Sequence, residues 1–87
     1  MAMSLVLHRV KDYAAWREVY DSVADLQAAG GVTAESVYRM AGDPDNVLVI
    51  HHFGSIDEAH AFFGAQALGD AMQRAGVEGQ PRIEFFE

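Results

Sequence analysis

Four histidines are the side chains of this sequence that titrate near neutral pH, and three of them fall in strand-like segments. His8 lies in MSLVLHRV (3–10), and His51 and His52 lie in VLVIHHF (47–53). An imidazole set in an apolar segment suits a general base or a hydrogen-bonding group in a pocket. His60 falls on a helical turn and reads as surface. Tyr38, in VTAESVYRMA (32–41), offers a phenol as donor or acid. His8, His51 and Tyr38 are therefore the candidate catalytic residues. His52, Phe53, Trp16, Tyr20 and Met72 are the candidate substrate-binding residues, although Trp16, Tyr20 and Phe53 suit core packing as readily as a pocket wall. Met72 can pad an adaptable apolar pocket.

A metal centre is not expected. Successive strand residues point to opposite faces, so His51 and His52 cannot both join His8. No strand Asp or Glu completes a facial triad, and the chain has no cysteine. The glycines are scattered rather than set as a phosphate loop, and no serine sits in a nucleophile elbow.

The elements that must position these groups are legible from punctuation and period. Residues 3–10 read as the first strand. Asp12 can cap a helix whose apolar stripe runs Tyr13, Trp16, Val19, Tyr20, Val23 and Leu26, and Gly30-Gly31 stops it. Residues 32–41 and 47–53 read as a hairpin around the turn-rich Gly42-Asp43-Pro44-Asp45-Asn46. Ser55-Ile56-Asp57-Glu58 is a capping box opening a second helical region, broken at Gly64 and stopped at Gly76. Pro81 precedes a last strand, Arg82 to Phe86.

The order is β-α-β-β-α-β over one domain, residues 1–87. An α+β, ferredoxin-like fold satisfies it, with a four-stranded antiparallel sheet and both helical regions on one face. The third strand is apolar at Val47 and Val49 and also at Leu48 and Ile50, so both its faces call for cover. A second copy of the chain is the simplest cover for the side without helices. Strands 1 and 3 are expected to be parallel neighbours, which puts His8 level with the His51–His52 pair.

The segments LHRVKDYAAWREVYD, ESVYRMAGDPDNVLVIHHFGSIDEAHAFF and DAMQRAGVEGQPRIEFFE resemble the dimeric α/β-barrel superfamily, within it the small proteins like the antibiotic-biosynthesis monooxygenases. The resemblance spans almost the whole chain. It implies two sheets packed face to face in a homodimer, with a pocket in each protomer. It implies activities such as cofactor-independent oxygenation of aromatic polyketides, cyclisation or isomerisation. Oxygenases of this kind often carry Trp at the end of strand 3, where this chain has Phe53. Haem-degrading members use an Asn on the first strand and a His on the last helix. Strand 1 here offers His8 instead, and residues 65–76 contain no His.

Composition bounds the partners. Six Lys and Arg against 13 Asp and Glu give a formal charge of −7, which repels phosphate backbones and argues against nucleic acid. A secretory h-region and an apolar stretch of membrane-spanning length are both missing, so a cytoplasmic, membrane-free protein is expected. The 51% hydrophobic content is rich for 87 residues and suggests apolar surface buried against a partner. The expected function is an enzyme acting without a cofactor on a small hydrophobic, aromatic or polyketide-like molecule. The alternative is a non-catalytic homodimer that binds a hydrophobic ligand or is stress-associated.

Overall fold

Alternation in the strands decides the architecture. In β1 (Ala2–Val10) every even residue is buried, from Ala2 through Ser4, Val6 and His8 to Val10, and the odd residues are more open. β3 (Asp43–Phe53) does the same with Val47, Val49, His51 and Phe53. A period of two with one face fully buried is the signature of a sheet covered on that side. The cover comes from α1 (Tyr13–Ser22), α2 (Ala24–Ala29), α3 (Ile56–Gly64) and α4 (Gln66–Arg74). With β2 (Val32–Met40) and β4 (Val77–Phe86), the strands form one antiparallel sheet in the order β2-β3-β1-β4. The computed structural model describes all residues from Met1 to Glu87.

The helices start where the sequence places their caps. Asp12 accepts a hydrogen bond from the Ala15 amide at 3.0 Å, and Ser55 accepts one from the Glu58 amide at 3.2 Å. Each helical region is split in two, at Val23 and at Ala65, whose extended backbone reorients α4 after α3. The split gives the helical layer four short faces with which to wrap a curved sheet.

Three boundaries differ from the sequence reading. The hairpin turn is Ala41-Gly42, with Gly42 at φ +82°, and β3 begins at Asp43. The turn-forming Pro44, Asp45 and Asn46 sit in a bulge, since Met40 pairs with Asp43 but Arg39 pairs with Val47. β4 begins at Val77 and runs through Pro81, which an edge strand tolerates.

Strand direction differs from the sequence reading as well. β1 and β3 are adjacent but antiparallel, with Ser4 opposite His51 and His8 opposite Val47. Crossing from β1 over the helices to β2 and back through a hairpin reverses β3 relative to β1. His8 and His51 therefore stand four residues apart along the sheet, roughly 14 Å between Cα atoms at ~3.4 Å per residue.

Two apolar clusters fill the space under the helices. One joins Val6, Val10, Trp16, Val47, Val49 and Ala75, and the other joins Ala2, Phe53, Ala59 and Phe62. Gly30 lets the second close: a Cβ there would collide with the Phe62 ring. No helix is long and apolar enough to cross a membrane.

Candidate functional site

Between the two clusters the helical layer leaves a cavity of about 60 Å³ against the sheet. Its floor is Val6, His8, Val49 and His51, supplied by the buried faces of β1 and β3. Its walls come from Trp16 and Tyr20 of α1, Phe62 and Phe63 of α3, and Met72 of α4. The lining is apolar apart from the two imidazoles, the Tyr20 hydroxyl and Gln27. Ligand pockets in general have such a lining, apolar with a few polar atoms that fix orientation.

The aromatic rings run as one array through the site. His8 lies 5.6 Å from Trp16, and Trp16 stacks on Tyr20 at 4.9 Å and 19°. Tyr20 faces His51 at 6.1 Å, and His51 meets Phe62 edge-on at 5.8 Å. The i, i+4 spacing of Trp16 and Tyr20 puts both on the helix face turned to the sheet. They bridge the distance that the antiparallel register opens between His8 and His51.

Both imidazoles are 5% exposed. Burial holds His8 below the ordinary imidazole value. Burial is also the main cause for His51; the charge of Glu35 pulls it back up, and His52 adds to the lowering. Both are neutral at pH 7, the state a general base requires. The Nδ1 atoms of both are buried without a hydrogen-bond partner, as is Ser4 Oγ. A buried polar atom left unpaired costs about 1–3 kcal/mol.

His51 Nε2 does have a partner. It lies 3.0 Å from the Tyr20 hydroxyl, which donates to Glu35 Oε1 at 2.8 Å. Burial raises the Tyr20 phenol above its ordinary value, and the Glu35 carboxylate raises it further. The hydroxyl therefore keeps its proton.

The structure brings together five of the eight residues singled out from sequence: His8, His51, Trp16, Tyr20 and Met72 all line the cavity. Phe53 is buried behind His51 in the neighbouring cluster, with ring centroids 6.3 Å apart, and supports the site without lining it. Tyr38 and His52 do not join the set. Strand alternation turns both to the face without helices, where Tyr38 is 57% exposed. Sequence reasoning overlooked Glu35, Ser4, Gln27 and the Phe62–Phe63 pair. The signal for Glu35 was the hairpin register, which sets it directly across from His51. No group of three or more His, Asp or Glu side chains is arranged to hold a metal ion.

The fold has many counterparts of known structure. A Bordetella bronchiseptica protein described as a candidate antibiotic biosynthesis monooxygenase superposes with a TM-score of 0.84 at 10% identity, over 99% of this chain and 94% of its own. SnoaB, a cofactor-independent oxygenase from Streptomyces nogalater, superposes at 0.80 and 12% identity, over 99% and 90%. A conserved protein from Methanosarcina mazei Go1 gives 0.77 and 11%, over 99% and 91%. No family model matches the chain, and no curated protein matches it in sequence. The chain thus shares the ferredoxin-like α+β fold of these proteins. A shared fold at such identity does not carry an activity with it.

Proposed function

We propose that this protein binds a small hydrophobic ring compound in the cavity between sheet and helices and acts on it without a bound cofactor. His51 and His8 are the bases, and Trp16, Tyr20 and Met72 hold the ring. The observation that carries this reading is the pair of neutral, buried imidazoles lining one apolar cavity. Removing a proton from a weakly acidic aromatic leaves a phenolate or enolate. Such an anion can cyclise, isomerise on reprotonation, or react with dioxygen. The description of SnoaB as a cofactor-independent oxygenase supports the last route by likeness of fold.

The cavity is small for such a guest, because an engineered cavity that takes benzene is about 150 Å³. Entry therefore requires a wall to yield. Met72 and Leu68 are half-buried on α4, and Met is the more adaptable of the two.

The proposal extends to a homodimer joined through the other sheet face. Leu5, Leu7, Leu48 and Phe86 line a groove of about 380 Å³ there, together with Tyr38 and Met40. Tyr38, Met40 and Phe86 are 57%, 44% and 48% exposed, an apolar patch that a monomer rarely leaves open. The groove also carries Arg82 and Glu84, opposite charges that a two-fold partner can pair.

The test is a panel of phenols, naphthols and anthrones, read for saturable binding and for new products by mass spectrometry. Turnover that disappears in a folded His51→Phe variant supports catalysis. Saturable binding without turnover selects the ligand-binding alternative. No saturable binding of any member contradicts the cavity reading.

A further inference from the structure

One rung of the sheet carries an unusual row on its helix-facing side. Reading across the strands, Glu35 is opposite His51, His51 is opposite Ser4, and Ser4 is opposite Phe85. Tyr20 descends from α1 onto the first two members, 2.8 Å from Glu35 and 3.0 Å from His51. The chemistry of these contacts leaves little choice of proton positions. An ionised carboxylate only accepts. The Tyr20 hydroxyl has one proton, and Glu35 takes it. The phenolic oxygen can then only accept from the imidazole, so the proton on neutral His51 sits on Nε2. Nδ1 is left as a bare lone pair without a protein partner, closed off from the cavity until the wall beside it yields to a guest.

We propose that Glu35, acting through Tyr20, fixes His51 in the Nε2–H tautomer, so that Nδ1 is the base offered to the ligand and the ligand must present an O–H or N–H donor to it. Glu35 is exposed and does not line the cavity, so it is a positioning residue. The chain defines a chemical class: phenols and enols are accepted, whereas carboxylates and ethers of similar shape, having no donor at neutral pH, are refused. A site built to hydrogen-bond a hydroxyl discriminates strongly against the analogue that lacks it, because the site's own polar atom is then left unpaired. Ser4 Oγ, across β1–β3 and also unpartnered, is the competing donor for Nδ1.

The tautomer part stands on the hydrogen bonds alone, and the ligand part rests on the cavity reading above. Long-range ¹H–¹⁵N spectra of the histidine rings test the first. The wild type shows His51 protonated on Nε2. Glu35→Lys replaces an acceptor by a donor at an exposed position, so the Tyr20 proton turns to Nε2 and the dominant form becomes Nδ1–H. Glu35→Ala, which frees the Tyr20 proton without adding a charge, moves the equilibrium the same way. An Nδ1–H wild type, or one tautomer in all three proteins, overturns the proposal.

Phenol and toluene are the probes for the second part. Phenol binds the wild type more tightly, and Glu35→Lys weakens phenol about tenfold, the worth of one hydrogen bond, while leaving toluene unchanged. Equal binding of both probes, with no effect of Glu35→Lys, overturns the selectivity but leaves the cavity reading in place. Failure of both probes to bind overturns the cavity reading itself. Ser4→Ala leaves the phenol preference intact; a preference lost with Ser4 assigns the Nδ1 contact to Ser4 and overturns the ligand's role.

Discussion

Truncating Trp16 to alanine is expected to remove a large share of the domain's stability. Trp16 is 4% exposed and stacked between Tyr13, at 5.7 Å, and Tyr20, at 4.9 Å, with His8 at 5.6 Å. A buried Trp hides ~150–250 Å², worth about 4–6 kcal/mol at ~25 cal/mol per Å². Measured truncations of large aromatics cost ~3–5 kcal/mol. The site adjoins an apolar cavity, so the space left behind adds to it instead of collapsing, and a loss of ~3–5 kcal/mol is expected. A chain of this length has ~4–13 kcal/mol in total at ~0.05–0.15 per residue. Urea unfolding followed by far-UV circular dichroism is the assay, because Trp16 is the only tryptophan and its fluorescence leaves with it. Trp16→Phe keeps a ring on Tyr20 and falls between wild type and alanine. A Trp16→Ala loss below ~1 kcal/mol refutes the core role assigned to this ring.

Acid is expected to weaken the fold through the two buried imidazoles. Their folded values lie below the unfolded ~6.5, so the unfolded chain binds more protons in that window. Stability is complete above ~6.5 and is lost as pH falls toward the folded values, by about 1.4 kcal/mol per unit of lowering. Urea midpoints at pH 7.5 and 5 should diverge less in the His8→Phe/His51→Phe double variant, and an unchanged difference contradicts the assignment. Met72→Ala should widen the cavity entrance and speed phenol association in stopped-flow measurements, while the lost wall contact speeds release; an unchanged association rate argues against Met72 as the yielding wall. Gly30→Ala should destabilise measurably in thermal melts, because its Cβ meets the Phe62 ring; an unchanged Tm shows that Phe62 gives way freely. Sedimentation at micromolar concentration should show a dimer that Leu48→Glu dissociates, and a wild-type species of 9.5 kDa contradicts the interface.

The features legible in the sequence were those that depend on local period and punctuation. Alternation identified the buried faces of β1 and β3, and the stripe through Trp16 and Tyr20 turned those rings inward. Asp12 and Ser55 cap as their types demand. Strand direction was misread, because the nearness of a strand's end to a helix start says nothing about how its neighbour runs. Only the crossover and hairpin together reverse β3 against β1. His8 and His51 share a cavity even so, because both have the parity of the buried face and α1 spans the gap with two rings. Tyr38 and His52 fell on the wrong side for the same reason of parity. Glu35 escaped notice because its role depends on hairpin register, and the Pro44–Asn46 bulge shifts that register by an amount that composition does not encode.

Backbone amide and histidine ring shifts recorded while titrating 1-naphthol test the central claim most directly, because the two faces of the sheet answer separately. The account predicts saturable shifts concentrated on Val6, His8, Trp16, Tyr20, Val49, His51 and Met72, the residues lining the cavity under the helices. Shifts confined instead to Leu5, Leu7, Tyr38, Leu48 and Phe86, on the opposite face, would contradict it.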